Sequence, residues 1–223
     1  MPFEVLLLLL LLGLGAAGAL GLWAILRQPA ASSARQALGQ GRFVDALAAA
    51  RLGPAAERDE LYAAAVAAKH LLQLDRAGEL LDRILAGDPG DGEAWLERGL
   101  VAAYAGDFAG AERAFARVEP LRSDLLESLT LHRAWLALRR GDSRTAQRLF
   151  GEVEAPLANK LHSDLGGGEP LFAEWFLQAA SLWRAAGNLE EAEWAQREGR
   201  ASAPESRLAE VAYPALGAQP PLQ

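Results

Sequence analysis

Apolar residues recur along most of this chain at alternating three- and four-residue spacing, in paired runs whose members are separated by a glycine followed by a polar residue: Gly106-Asp107, Gly141-Asp142 and Gly187-Asn188. That spacing predicts amphipathic helices, and the breaks predict tight turns between antiparallel partners. The clearest pair occupies residues 92–120, GEAWLERGLVAAYAGDFAGAERAFARVEP, with Trp95 and Gly99 on its first helix, Phe108, Ala111 and Phe115 on its second, and Pro120 closing it. The preceding stretch, 58–91, repeats it. Leu61 and Trp95, Ala65 and Gly99, Ala77 and Ala111, Leu81 and Phe115, and Ile84 and Val118 all lie 34 residues apart. A fixed period of this length is the mark of stacked helical repeats.

The offsets resemble those of the tetratricopeptide repeat (TPR) family, in which two helices meet through small residues with large ones filling between them. The resemblance is sharpest over 58–156 and extends more weakly over 34–206, with repeats at about 34–54, 58–91, 92–120, 127–156 and 173–206. It departs from the family pattern at Leu72-Gln73, where a glycine and an acidic residue are usual, and this predicts a longer first helix there. Arg98 and Ala102 replace a leucine and a tyrosine, and Pro120 comes early. In the repeat at 127–156, Ser123 is a candidate cap for the first helix and Ala155-Pro156 is expected to end the second. The implied fold is all-α, a right-handed solenoid of four to five helix-turn-helix repeats. The implied binding surface is the groove lined by the first helices. Carried over by offset, its residues are Tyr62, Val66, Lys69 and His70, then Leu96, Leu100 and Tyr104, then Leu131, Trp135, Leu138 and Arg139, then Leu177 and Arg184. Such a surface suits a partner peptide or helix with buried apolar residues and an acidic group for Lys69, Arg139 or Arg184. The alternative is a groove filled by the chain's own tail or by its 157–170 loop.

Ahead of the repeats, residues 5–26 form an uncharged run between Glu4 and Arg27, long enough to cross a bilayer as a helix. Its eleven leucines favour insertion by roughly 3 to 7 kcal/mol. A cleaved signal peptide is the competing reading, but MPFE has no basic residue. A transmembrane helix is therefore expected over 1–28, a linker over 29–33, and a soluble part on the cytoplasmic side, because Arg27, Arg35 and Arg42 all follow the span. Gly13, Ala17 and Gly21 fall on one face of that helix and form a candidate contact for another membrane helix.

Residues 157–170, with Gly166 to Gly168 in succession, are expected to form a loop insertion before the last repeat. The glycines lack the lysine and serine or threonine of a phosphate loop. Beyond the last repeat, a short helix within 205–212 would cap the stack, and a disordered tail is expected from 207 to 223.

Composition narrows the function. The net charge is -7, with no basic patch for nucleic acid. Cysteine is absent and three histidines are scattered, so neither disulfides nor a metal-ligand spacing can be read. His132, among apolar positions, reads as structural. No nucleophile elbow or HExxH occurs, and the acidic residues sit beside arginines at helical spacing, as on a solvated face. No enzymatic activity and no cofactor are expected. The expectation is a membrane-anchored protein-protein interaction scaffold for membrane-complex assembly. A periplasmic TPR factor for envelope or cytochrome assembly, and a structural subunit docked through its membrane helix, are the alternatives. One span followed by repeats is similar to membrane-bound TPR assembly factors such as the lipopolysaccharide assembly family, whose cysteine-rich metal module is missing here.

Overall fold

The computed structural model describes residues 33–163 and 170–212. The apolar run at 5–26 with Gly13, Ala17 and Gly21, the linker before Ser33, the glycines at 166–168 and the tail after Ala212 lie outside the described residues. Among those described, no helix is long and apolar enough to cross a membrane.

The described residues form helical hairpins: α1 (Ser33–Gly39) with α2 (Phe43–Ala49), α3 (Arg58–His70) with α4 (Leu74–Gly87), α5 (Gly92–Ala105) with α6 (Phe108–Val118), α7 (Leu126–Arg139) with α8 (Ser143–His162), and α9 (Ala173–Ala185) with α10 (Leu189–Ser202). A single turn, α11 (Ala209–Ala212), follows. Helices α3, α5 and α7 begin 34 residues apart, which is the step read from the sequence and is consistent with a TPR-like solenoid.

Each hairpin turn is made in the same way. A glycine one or two residues past the first helix takes a left-handed conformation: Gly41, Gly106, Gly141 and Gly187 at φ of 69°, 84°, 80° and 86°. The next N–H then reaches back five residues, from Asp107 to the Ala102 carbonyl at 2.9 Å and from Asp142 to the Ala137 carbonyl at 2.9 Å, closing a Schellman cap. Asp107 and Asp142 also cap the following helix, accepting from the Gly110 and Thr145 N–H groups. The α3–α4 turn lacks the glycine but not the geometry. Leu72 adopts φ 58° and Gln73 donates to the Ala68 carbonyl at 2.8 Å. Helix α3 therefore stops at His70 and is not lengthened, with half-buried Leu72 packed on the core in a conformation that costs an L-residue about 1 to 2 kcal/mol.

Four further expectations are corrected. Helix α8 does not end at Pro156 but continues through it to His162. An interior proline costs about 3 kcal/mol, but Val153, Leu157 and Leu161 form a buried stripe, and the two leucines beyond the proline recover roughly 1.5 to 3 kcal/mol each. The connection to α9 is correspondingly shorter than a 157–170 loop. Ser123 does not cap α7; it opens a 3-10 turn, Ser123–Leu125, and Leu126 starts the helix. Residues 207–212 are not a loose tail, since Leu208 and Ala212 are buried in the core.

The glycines in the hairpins have separable jobs. A Cβ on Gly106 would meet nothing within 4 Å, whereas one on Gly99 would run into the fully buried ring of Phe115. Gly106→Ala should therefore lower stability in urea titration by about 1 to 2 kcal/mol through conformation alone. Gly99→Ala should lose about 1 to 3 kcal/mol through overpacking, and Phe115→Leu should recover part of that second loss but none of the first.

Candidate functional site

The first helices of the hairpins do line an inner wall, but it is not open. Helix α3 is buried all round, with Ala63, Ala64, Ala65, Ala67 and Ala68 all inaccessible. The element that approaches is α9. Its Glu174 accepts from Lys69 Nζ of α3 at 2.5 Å, its Gln178 Nε2 donates to the Tyr104 hydroxyl of α5 at 3.2 Å, and its Gln178 Oε1 lies 2.7 Å from His132 Nδ1 of α7. One helix thus touches the first helices of three hairpins. Glu97 of α5 completes the cluster, with its carboxylate 2.7 Å from Lys69 Nζ.

Burial governs the electrostatics here. Lys69 is 1% exposed and Glu174 is 4% exposed, so each charge is stable only with the other present. Desolvation works against the Lys69 ammonium, but Glu174 and Glu97 together push it up to about 12. Desolvation likewise opposes the Glu174 carboxylate, and the Lys69 ammonium holds it below the usual range. Glu97 is pushed up by burial, against the pull of Lys69. Burial and the Lys69 charge press His70 down to about 3. His132 is lowered by burial, which outweighs Glu174 and the Gln178 bond. Both histidines are therefore neutral, and a neutral His132 carrying its proton on Nδ1 donates to Gln178.

The far end of the chain covers the rest of the wall. Arg207 N–H donates to the His70 carbonyl at 2.8 Å, and Ser206 Oγ lies 3.0 Å from His70 Nδ1. The Trp135 indole donates to the Ala212 carbonyl at 3.4 Å, and Arg139 donates to the Val211 carbonyl at 3.0 Å while lying over the Trp135 ring. Phe43 of α2 stacks on His70 with ring centroids 4.1 Å apart.

These contacts correct the reading of the groove residues as an accessible surface. Val66, Lys69, His70, Leu100, Tyr104, Leu131, Trp135 and Leu177 are buried. Tyr62, Leu96, Leu138, Arg139 and Arg184 are half-buried. Tyr62 lies under the Arg58 guanidinium, which is bound to Asp91 and Glu93 at the start of α5. The structure brings Lys69, His70, Tyr104, Trp135 and Arg139 to one inner face. It sets Leu177 within its own hairpin, against Gly199 of α10. Sequence offsets missed Glu97, Glu174, Gln178 and Ser206. A signal for two of them exists in FAEWFLQAASLW, where Glu174 and Gln178 stand one helical turn apart in an otherwise apolar helix. Among the described residues no group of histidine and acidic side chains is placed to hold a metal ion.

No family model and no curated protein matches this chain. Among solved structures it is similar to one titled MamA MSR-1 C2, with 16% sequence identity and a TM-score of 0.46 over 75% of this chain and 90% of that one.

The buried pair and the neutral histidines make two expectations. Lys69→Met should cost about 3 to 5 kcal/mol by leaving Glu174 buried and unpaired, and adding Glu174→Leu should restore much of it. His70 has a folded value far below its unfolded one, so its contribution to stability is present above the unfolded value near 6.5 and is lost as pH falls below it, by about 2 kcal/mol between pH 7 and pH 5. His132 acts in the same direction, and the raised Glu97 partly opposes both. Urea midpoints should fall from pH 7 to pH 5 in the wild type, and with a shallower slope in His70→Asn.

Proposed function

We propose that this chain is a protein-interaction scaffold, tethered to a membrane by residues 5–26, with the repeats on the cytoplasmic side. The single observation that carries the interaction reading is that the α3–α5–α7 wall is met by one helix, α9, through one buried ion pair to Lys69 and neutral hydrogen bonds to Tyr104 and His132. A wall built this way recognises helices. The tether rests on the sequence: an uncharged run of spanning length followed by the excess of arginine that marks a cytoplasmic flank. Assembly or retention of a membrane complex is the role that fits a helix-recognising stack fixed a few residues from the bilayer. A structural subunit with an internally filled groove is the second reading, favoured by the burial of Leu100 and Trp135 at 1% and 0% exposure.

Chemical crosslinking in native membranes, followed by purification of the full chain, tests the reading. A protein partner recovered in near-equal amount, from a membrane fraction that resists carbonate extraction, is expected. Recovery of the chain alone, or its release by carbonate, overturns the tethered-scaffold reading. Replacing Gly13, Ala17 and Gly21 by leucine separates the two roles: loss of the partner places docking in the membrane helix, and retention places it in the repeats.

A further inference from the structure

We propose that the outer cleft between α4 and α6 is where the scaffold holds a partner protein, through an extended segment of that partner with two acidic residues and one apolar residue at alternate positions. This rests on the scaffold reading and adds the place of contact and the partner's chemistry. The inner wall is filled by α9 and by residues 206–212, so a partner meets the hairpins elsewhere. The outer cleft has a volume of about 310 Å³ and is lined by Asp82 of α4, Trp95 and Arg98 of α5, and Arg113 and Arg117 of α6. Trp95 and Arg98 leave α5 on the side away from Glu97 and Tyr104, since each residue turns about 100° around a helix.

The cationic groups of the cleft are held in place and incompletely answered. Arg98 lies over Gly78, where a Cβ would come within 3.9 Å of its Cζ, and donates to Asp82 at 2.8 Å. The Arg117 guanidinium stands 5.9 Å from the centre of the Trp95 ring, whose indole N–H is fixed on the Pro89 carbonyl at 2.9 Å. Arg113 and Arg117 are one turn apart on α6 and have no carboxylate partner among the described residues, whereas Arg58, Arg122 and Arg148 are each paired. Like charges at that spacing repel, and an anion laid between them removes the repulsion. The acidic groups of the cleft are in use, Asp82 by Arg98 and Asp107 by the Gly110 N–H that it caps. A chain with a net charge of -7 thus keeps two unanswered arginines beside one aromatic ring.

Size and spacing set the ligand. The cleft takes a few side chains and not a helix about 10 Å across. Arg113 and Arg117 are about 6 Å apart along α6, and alternate residues of an extended chain project to one side at steps of about 6.6 Å. Acidic side chains at alternate positions therefore reach both guanidinium groups, whose forks match carboxylates. An apolar residue at the next alternate position falls on Trp95, beside Arg117, and arginine with tryptophan is the pairing that anchors protein interfaces. A denser anion, whether nucleic acid or a layer of lipid headgroups, meets Asp82 and Asp107 at the same mouth and is disfavoured by like charge.

The test uses the full chain in neutral detergent and fluorescent peptides with Glu-Ser-Glu-Ser-Leu or Glu-Ser-Glu-Ser-Phe at the centre of a glycine-serine frame, read by anisotropy. Both peptides are expected to bind, and more weakly as salt is raised. Replacing their glutamates by glutamine, or Arg113→Gln with Arg117→Gln in the protein, should each weaken binding at least about tenfold, which is about 1.4 kcal/mol. Asp82→Asn releases Arg98 and should tighten binding. The arginine double variant should keep the wild-type urea midpoint, since no ion pair among the described residues is lost with it. Absence of binding by both acidic peptides, or equal binding by the double variant, overturns the inference. Phosphatidylglycerol added to the micelles should leave peptide binding unchanged, and displacement of the peptide by it assigns the arginines to lipid and overturns the inference. Crosslinking in native membranes distinguishes the two levels. A partner captured equally by wild type and double variant overturns the cleft as its contact but leaves the scaffold standing, whereas no partner from the wild type removes the scaffold, whatever the peptides do.

Discussion

Lys69 is a full positive charge at a place that water does not reach, and the arrangement of the hairpins follows from the need to answer it. Its carboxylate partner, Glu174, lies 105 residues further along the chain. Only a closed stack brings the two together. The pair is a poor source of net stability, because the desolvation of two ions roughly cancels their attraction. What it supplies is discrimination: any packing of the last hairpin that slips α9 by one residue turns Glu174 away from the ammonium and leaves two buried charges unpaired. Charge placement thus fixes a register that interchangeable alanines and leucines would leave loose.

The rest of the inner wall is consistent with that demand. The long side chains of Lys69 and Glu174 span between α3 and α9, and Tyr104, Gln178 and His132 are buried beside them. Each of these groups then has to find a protein partner, and each does so within the cluster. Two histidines held neutral and a Glu97 carboxyl pushed toward its protonated form keep the site close to electrical balance around one ion pair. The segment after α10 adds backbone carbonyls at Val211 and Ala212 for Arg139 and Trp135, so residues 206–212 complete the wall's hydrogen bonding.

The hairpins were legible because their determinants are local. The spacing of Leu61, Ala65, Ala77 and Leu81 against Trp95, Gly99, Ala111 and Phe115 depends on contacts within one hairpin or between neighbours, and a 34-residue period records them. Where local preference was overruled, tertiary burial did it: Leu72 is forced left-handed, and α8 is carried through Pro156 by Leu157 and Leu161. The offsets also assigned Lys69, Leu100, Tyr104 and Trp135 to the inner face. They carry no information on whether that face is vacant. Vacancy depends on curvature, which accumulates from small rotations between successive hairpins and is encoded in no single residue type.

Closure changes what the aromatic and basic groove residues mean. In an open solenoid, Trp135 and Arg139 would be candidate anchors for a partner; here Trp135 is fully buried against Tyr104, with ring centroids 4.9 Å apart, and Arg139 holds the Val211 carbonyl of α11. A substitution at Trp135 therefore tests the core before it tests any partner, and loss of binding in such a variant would say nothing about recognition. Glu174 and Gln178 are better reporters because they sit on the occupant and not on the wall. Gln178 is the milder of the two to alter, because its bonds to Tyr104 and His132 are neutral, whereas removal of Glu174 leaves Lys69 buried without its principal partner and must be paired with a change at Lys69.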